Sequence, residues 1–171
     1  MGNTILFRRD TPVDDWLHMS NGATAVFINV LVLSGSALAQ TDEEKQMIVW
    51  LAEKNQFIIG LGTVGFAVAE MPWSKECFAS QRTFMLRTVD AACAKLRWEL
   101  LDYVPREDYI CACLAQFRQY IERMTEDDII EQTRTEWLND AGAGDPIRCG
   151  FPRCEKHGTL LAWCGCQVCT D

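Results

Sequence analysis

Five of the nine cysteines fall in the last 23 residues, and one of only two histidines lies among them. That stretch offers Phe151, Leu160, Leu161 and Trp163 as its bulky apolar side chains. Four such groups cannot build a core, so something other than burial must fold the segment, while the same side chains dock it against the rest of the chain. An odd cysteine total with close spacing beside an imidazole favours metal ligation in a reducing compartment over a disulfide framework. The localisation this implies is cytoplasmic.

Cys154-x-x-His157 and Cys166-x-x-Cys169 are two short pairs separated by eight residues. A two-residue gap lets both side chains of a pair converge on one ion while backbone N–H groups support the sulfurs. Gly158 follows the first pair, where a tight turn uses a positive φ. The pattern resembles a zinc knuckle or a short zinc ribbon. The expected site is therefore Cys154, His157, Cys166 and Cys169 around a structural zinc ion. Cys149 and Cys164 are surplus to a tetrahedron; Cys149 is an alternative to Cys154, and Cys164 to Cys166. Four protein ligands leave no position for water, and Glu155 lacks the His-x-Glu context of a zinc deaminase. No catalytic and no cofactor-binding residue is assigned, and the chain reads as leaning away from an enzyme.

The remainder is expected to be mostly α, a helical bundle-like domain over 1–140 joined by a linker at 141–148 to the zinc-knuckle tail at 149–171, which packs on the helices. Thr41-Asp-Glu-Glu44 is a capping box, and Met47, Ile48 and Leu51 continue it as a helix to about Asn55. From Ser74 to about Leu101 apolar residues recur at helical period, from Phe78 through Met85, Val89 and Leu96. After Pro105 a second stripe runs from Tyr109 to Met124. Thr125 with Glu126-Asp127-Asp128 predicts a cap for a third helix through Ile129, Ile130, Thr133 and Trp137. Residues 1–22 predict an irregular arm with a short helix. The stretch 23–39 is ambiguous, because Val26, Ile28, Val30 and Val32 suit a strand while its length suits a buried helix. Of the two, helix is preferred. The same run, with Ala37-Leu-Ala39 after it and Arg8-Arg9 before it, imitates a secretory signal, but Asp10, Asp14 and Asp15 spoil the positive flank such a signal needs. A membrane span is also disfavoured, since Asn29, Ser34, Gly35 and Ser36 interrupt the run.

A net charge of −8 repels phosphate backbones and points to a basic protein partner. The expected function is a non-enzymatic cytoplasmic zinc-binding protein of inhibitor, immunity or adaptor type. The alternative is a nucleic-acid-binding regulator using the tail, helped by Arg82, Arg87, Lys95, Arg97, Arg118 and Arg123 if they share a face. A third reading takes Gly60-x-Gly62-x-x-Gly65 as a nucleotide loop, although only Phe66 to Glu70 precede Met71-Pro72 where its helix should run. Cys111-x-Cys113 reads as core. His18 has no identifiable partner. Trp73 is the candidate exposed anchor.

Overall fold

The computed structural model describes residues 3–169, and the chain is mostly α-helical. Five α-helices are described: α1 (Asn21–Leu38), α2 (Asp42–Ala52), α3 (Phe78–Cys93), α4 (Glu107–Arg123) and α5 (Glu131–Asp140).

The stretch that sequence left ambiguous is α1. The Ser20 hydroxyl accepts from the Ala23 N–H at 3.2 Å and starts it. It is long and apolar enough to cross a membrane by length and composition, yet Phe27 to Ser36 are all buried inside the protein. Its β-branched residues are tolerated because α2, α3 and α4 pack around it and reward the burial. Gly35 is what admits α2: a Cβ there would lie 2.1 Å from Ile48 Cδ1 and 3.2 Å from Thr88 Cγ2.

The capping box forms as expected, with Glu44 N–H bonded to Thr41 Oγ1 and Thr41 N–H to Glu44 Oε2, each at 3.2 Å. The helix beyond Ser74 begins at Phe78 and stops at Cys93, earlier than its apolar pattern. Lys95 and Arg97 then take positive φ, and Trp98–Leu100 turns as a short 3-10 segment that lays Trp98 on the core.

Three expectations need correction. The N-terminal arm is not merely irregular: β1 (Thr4–Leu6) is the centre of a three-stranded sheet, antiparallel to β2 (Leu17–His18) and parallel to β3 (Phe66–Ala67). Strands this short carry no period for a sequence to show, and their pairing is long-range. The Thr125 box closes only one 3-10 turn, Glu126–Asp128, and Ile129 is extended before α5 begins. Asp128 bonds the Thr125 N–H at 2.9 Å and also takes Arg8 Nη1 at 3.0 Å, so the cap is tied to the N-terminal arm instead of leading a helix.

Aromatic edges join the layers at the centre. Phe117 of α4 meets Phe27 of α1 edge-on at 5.3 Å between centroids, and Trp50 of α2 meets Phe66 of β3 at 5.1 Å. Trp73 belongs to this interior: it is fully buried and donates from Nε1 to the Val68 carbonyl at 2.8 Å, so it is no exposed anchor.

Candidate metal centre

Residues 141–148 lead out of α5 through a 3-10 turn, Pro146–Arg148, where the Asp145 carboxylate accepts from the Ile147 N–H at 3.1 Å. Arg148 reaches back to the Leu138 and Ala141 carbonyls at 2.8 and 2.7 Å. The segment beyond then lies against α1. Leu160 is fully buried, and its N–H donates to Ser36 Oγ at 2.9 Å, while Arg153 Nη1 donates to the Ser36 carbonyl. Cys166 and Val168 pack with Leu33. Ser36 therefore has a job in α1 that its hydropathy hides.

Each ligand pair sits on a short turn. Arg153 and Leu160 form an antiparallel bridge, Cys154 N–H bonds the Thr159 carbonyl at 2.8 Å, and Gly158, at φ +67°, returns its N–H to the Cys154 carbonyl at 2.8 Å. A side chain at residue 158 would strain that turn and also press Arg97 Nη1, 3.2 Å away. The second turn opens with Gly165 at φ +101° and an Ala162–Gly165 bridge.

These two turns bring Cys154, His157, Cys166 and Cys169 together, all four ligand atoms within 4.8 Å of one another. His157 Nδ1 is 3.6 Å from Cys154 Sγ, 3.6 Å from Cys166 Sγ and 3.4 Å from Cys169 Sγ. Cys154 Sγ and Cys169 Sγ are 3.7 Å apart, far beyond a disulfide bond. Thr159 Oγ1 lies 3.1 Å from Cys166 Sγ, placed to donate to a thiolate. Burial lowers the His157 pKa and so favours the neutral imidazole that ligates metals. Burial opposes a thiolate at Cys154, but N–H groups of His157 and Lys156 and the neighbouring thiols outweigh it, and its pKa falls. Cys169 is pushed up to about 12 by burial and by Cys154 beside it. One negative charge is thus welcome in the cluster and a second is not, unless a cation is there to share.

The two surplus cysteines stand outside the cluster. Cys149 is exposed and turned to the Ala143 carbonyl at 3.4 Å, while Cys164 sits 3.7 Å from Gln167 Nε2. Comparison of the chain with protein-family models, with curated proteins and with solved structures gives no match.

The remaining sequence candidates resolve into ordinary structure. After Gly65 comes strand β3, not a helix, so no helix N-terminus faces Gly60-x-Gly62-x-x-Gly65 to receive a phosphate. Gly60 and Gly62, both at φ +79°, instead shape a loop that presents Phe57, Ile59 and Leu61 to solvent. Arg118 pairs with Asp90 and Glu122, Arg123 with Asp15, and Lys95 with Glu107, while Arg82 is spent on the Ile121 and Glu122 carbonyls. Four of the six candidate basic residues thus have local acidic or carbonyl partners. Cys113 is buried on α4, and half-buried Cys111 points to the Cys93 carbonyl at 3.6 Å. His18 on β2 contacts Thr4 Oγ1 at 3.1 Å. Trp163, expected to dock the tail on the helices, is instead 52% exposed.

Proposed function

We propose that the four-residue cluster holds a structural zinc ion and that the protein works in the cytoplasm by contact with another, basic protein, as an inhibitor, immunity protein or adaptor does. On this reading the helices are a bundle-like platform and the tail is fixed on it by the metal. One observation carries the zinc assignment. Zn–S bonds of about 2.3 Å and Zn–N bonds of about 2.0–2.1 Å at a tetrahedral angle require sulfur–sulfur edges of about 3.8 Å and sulfur–nitrogen edges of about 3.6 Å. Four of the cluster's six edges match, one sulfur–sulfur edge at 3.7 Å and the three sulfur–nitrogen edges at 3.4–3.6 Å, and all six lie within 4.8 Å. Three thiolates and one imidazole leave a zinc centre with one net negative charge, and two guanidinium groups flank it, Arg97 against Gly158 and Arg153 on the Gly158 carbonyl at 3.1 Å. Thiolate and imidazole donors suit zinc better than magnesium or calcium, which prefer oxygen. With four protein donors no site remains for a reacting water, and the residues' work is to join two turns that burial alone does not hold.

Elemental analysis of the purified protein tests the assignment. One zinc per chain is expected, falling to a small fraction of that in Cys166→Ser and His157→Ala. A metal-free protein whose residues 149–169 remain protected from proteolysis overturns it. The partner is tested separately by capture from the native host: a basic protein released by moderate salt is expected, and salt-insensitive capture of an acidic one overturns the charge reasoning.

A further inference from the structure

A second cleft lies away from the metal cluster, where the ends of α2 and α5 meet the tail. It encloses about 280 Å³ and is lined by Glu53, Trp137, Asp140, Ala141, Asp145 and Trp163. Glu53 is the odd member. It caps the C-terminus of α2, the negative end of the helix dipole, and is only 9% exposed. A carboxylate in that place is desolvated beside carbonyl groups, the least favourable setting for its charge. Its Oε2 accepts from Trp137 Nε1 at 2.8 Å, while its Oε1 accepts no hydrogen bond from the described residues and is open to solvent. Among the described residues no cation pairs directly with Glu53, although the charge of Lys54 reaches it. Lys54 Nζ lies over the Trp50 ring, 4.0 Å from its centroid, and Arg148 is bonded to the Leu138 and Ala141 carbonyls. Asp145 adds a further negative charge to the field at Glu53. The metal tail contributes Trp163, half in solvent, to the same wall.

Two indoles and three carboxylates line one small cleft, a lining whose chemistry suits an organic cation. Indole faces attract a cation through their quadrupole, and the attraction grows when the cation is desolvated. The carboxylates supply the countercharge, and the unpartnered Glu53 oxygen supplies an acceptor. A hard metal ion fits less well, since it would want six or more oxygens and would leave the indoles without a role. We propose that this cleft binds an alkylated ammonium head group, borne either by a lysine side chain of another protein or by a small free amine. The lysine source rests on the basic-partner reading above and would give it a contact point; the free-amine source does not need it.

Calorimetry on the full chain tests this with three probes: choline, its neutral isostere 3,3-dimethyl-1-butanol, and the peptide acetyl-Gly-Lys-Gly-amide. Saturable binding of choline or of the peptide is expected, with the isostere at least tenfold weaker. Trp163→Ala, at an exposed position, is expected to weaken the bound probe at least tenfold with zinc content unchanged, and Glu53→Gln to do the same. Peptide binding supports the cleft and the basic partner together. Choline binding without peptide binding supports the cleft and overturns the lysine source. Absence of binding by both cations, an isostere as good as choline, or affinity indifferent to Trp163→Ala overturns the cleft, and leaves the metal assignment to stand or fall on its own analysis.

Discussion

Gly35 and Glu53 are two residues whose chemistry reverses what their surroundings suggest. A glycine inside a helix ordinarily costs about 1 kcal/mol relative to alanine, so Gly35→Ala would stabilise an isolated α1. Here the added methyl meets Ile48 Cδ1 at 2.1 Å and Cγ1 at 2.6 Å, and Ile48 is itself fully buried with nowhere to turn. Overpacking of this kind costs typically 1–3 kcal/mol and should outweigh the propensity gain. Gly35→Ala is expected to destabilise the protein by up to about 2 kcal/mol in chemical denaturation, and a raised midpoint would mean that α1 and α2 shift apart to admit the methyl. Glu53 titrates in an unusual range: burial lifts it to about 7 from 4.5, against the pull of the Trp137 hydrogen bond and Lys54. Because the folded value lies above the unfolded one, its contribution to stability is complete below about pH 4.5 and is lost as pH rises through about 7. The loss is on the order of 2–3 kcal/mol. Denaturation at pH 5 and pH 8 should show wild type losing stability over that interval, and Glu53→Gln should lose less by most of this amount.

The tail is the element whose stability is conditional. Its two turns put four potential ligand atoms within reach of one ion but bury few large side chains, so metal binding there would supply folding free energy. A chelator strong enough to strip zinc is expected to expose residues 149–169 to protease or hydrogen exchange first, while α1 to α4 stay protected. Simultaneous loss of protection throughout would instead make the metal part of one cooperative unit. The elements also differ in how well the sequence announced them. The Thr41–Glu44 box and the stripe on α4 could be read directly, since both are local and periodic. So could the ligand pairs, because two-residue spacing constrains chemistry over a few ångströms. The sheet could not: β1 pairs with β3 through Ile5 and Phe66, and nothing near either residue records the other. Thr125 with Asp128 read as a helix start because a capping box looks the same whether a 3-10 turn or an α-helix follows. Trp163 misled for the opposite reason. Its apolar ring implied docking, whereas the structure leaves half of it in water beside Glu53, a neighbour 110 positions away.

At the scale of the whole molecule, the organising feature is a helix apolar enough for a bilayer that is wrapped instead by protein. Its cover comes from α2, α3 and α4 and, at Leu33 and Ser36, from the tail. A chain ended at residue 148 would bare Leu33 and leave the Ser36 hydroxyl without the Leu160 N–H. Such a chain is expected to bind a hydrophobic dye and to unfold at a lower denaturant midpoint than the full protein. A full-length midpoint in the truncated chain would show the tail to be an appendage and not part of the cover. Asn29, buried in the middle of α1, binds Asn55 at 2.9 Å and Tyr103 at 3.1 Å, a polar tie suited to protein neighbours and unsuited to lipid.

Seen from the ribosome, the same wrapping runs against the direction of synthesis. The greasiest segment is made early, whereas its last covering residues, Leu160 to Val168, are made late. Until those residues emerge α1 lacks the last part of its shelter, so a nascent chain stalled before them would present Leu33 to any factor that gathers apolar segments. Closure waits for Leu160 to Val168.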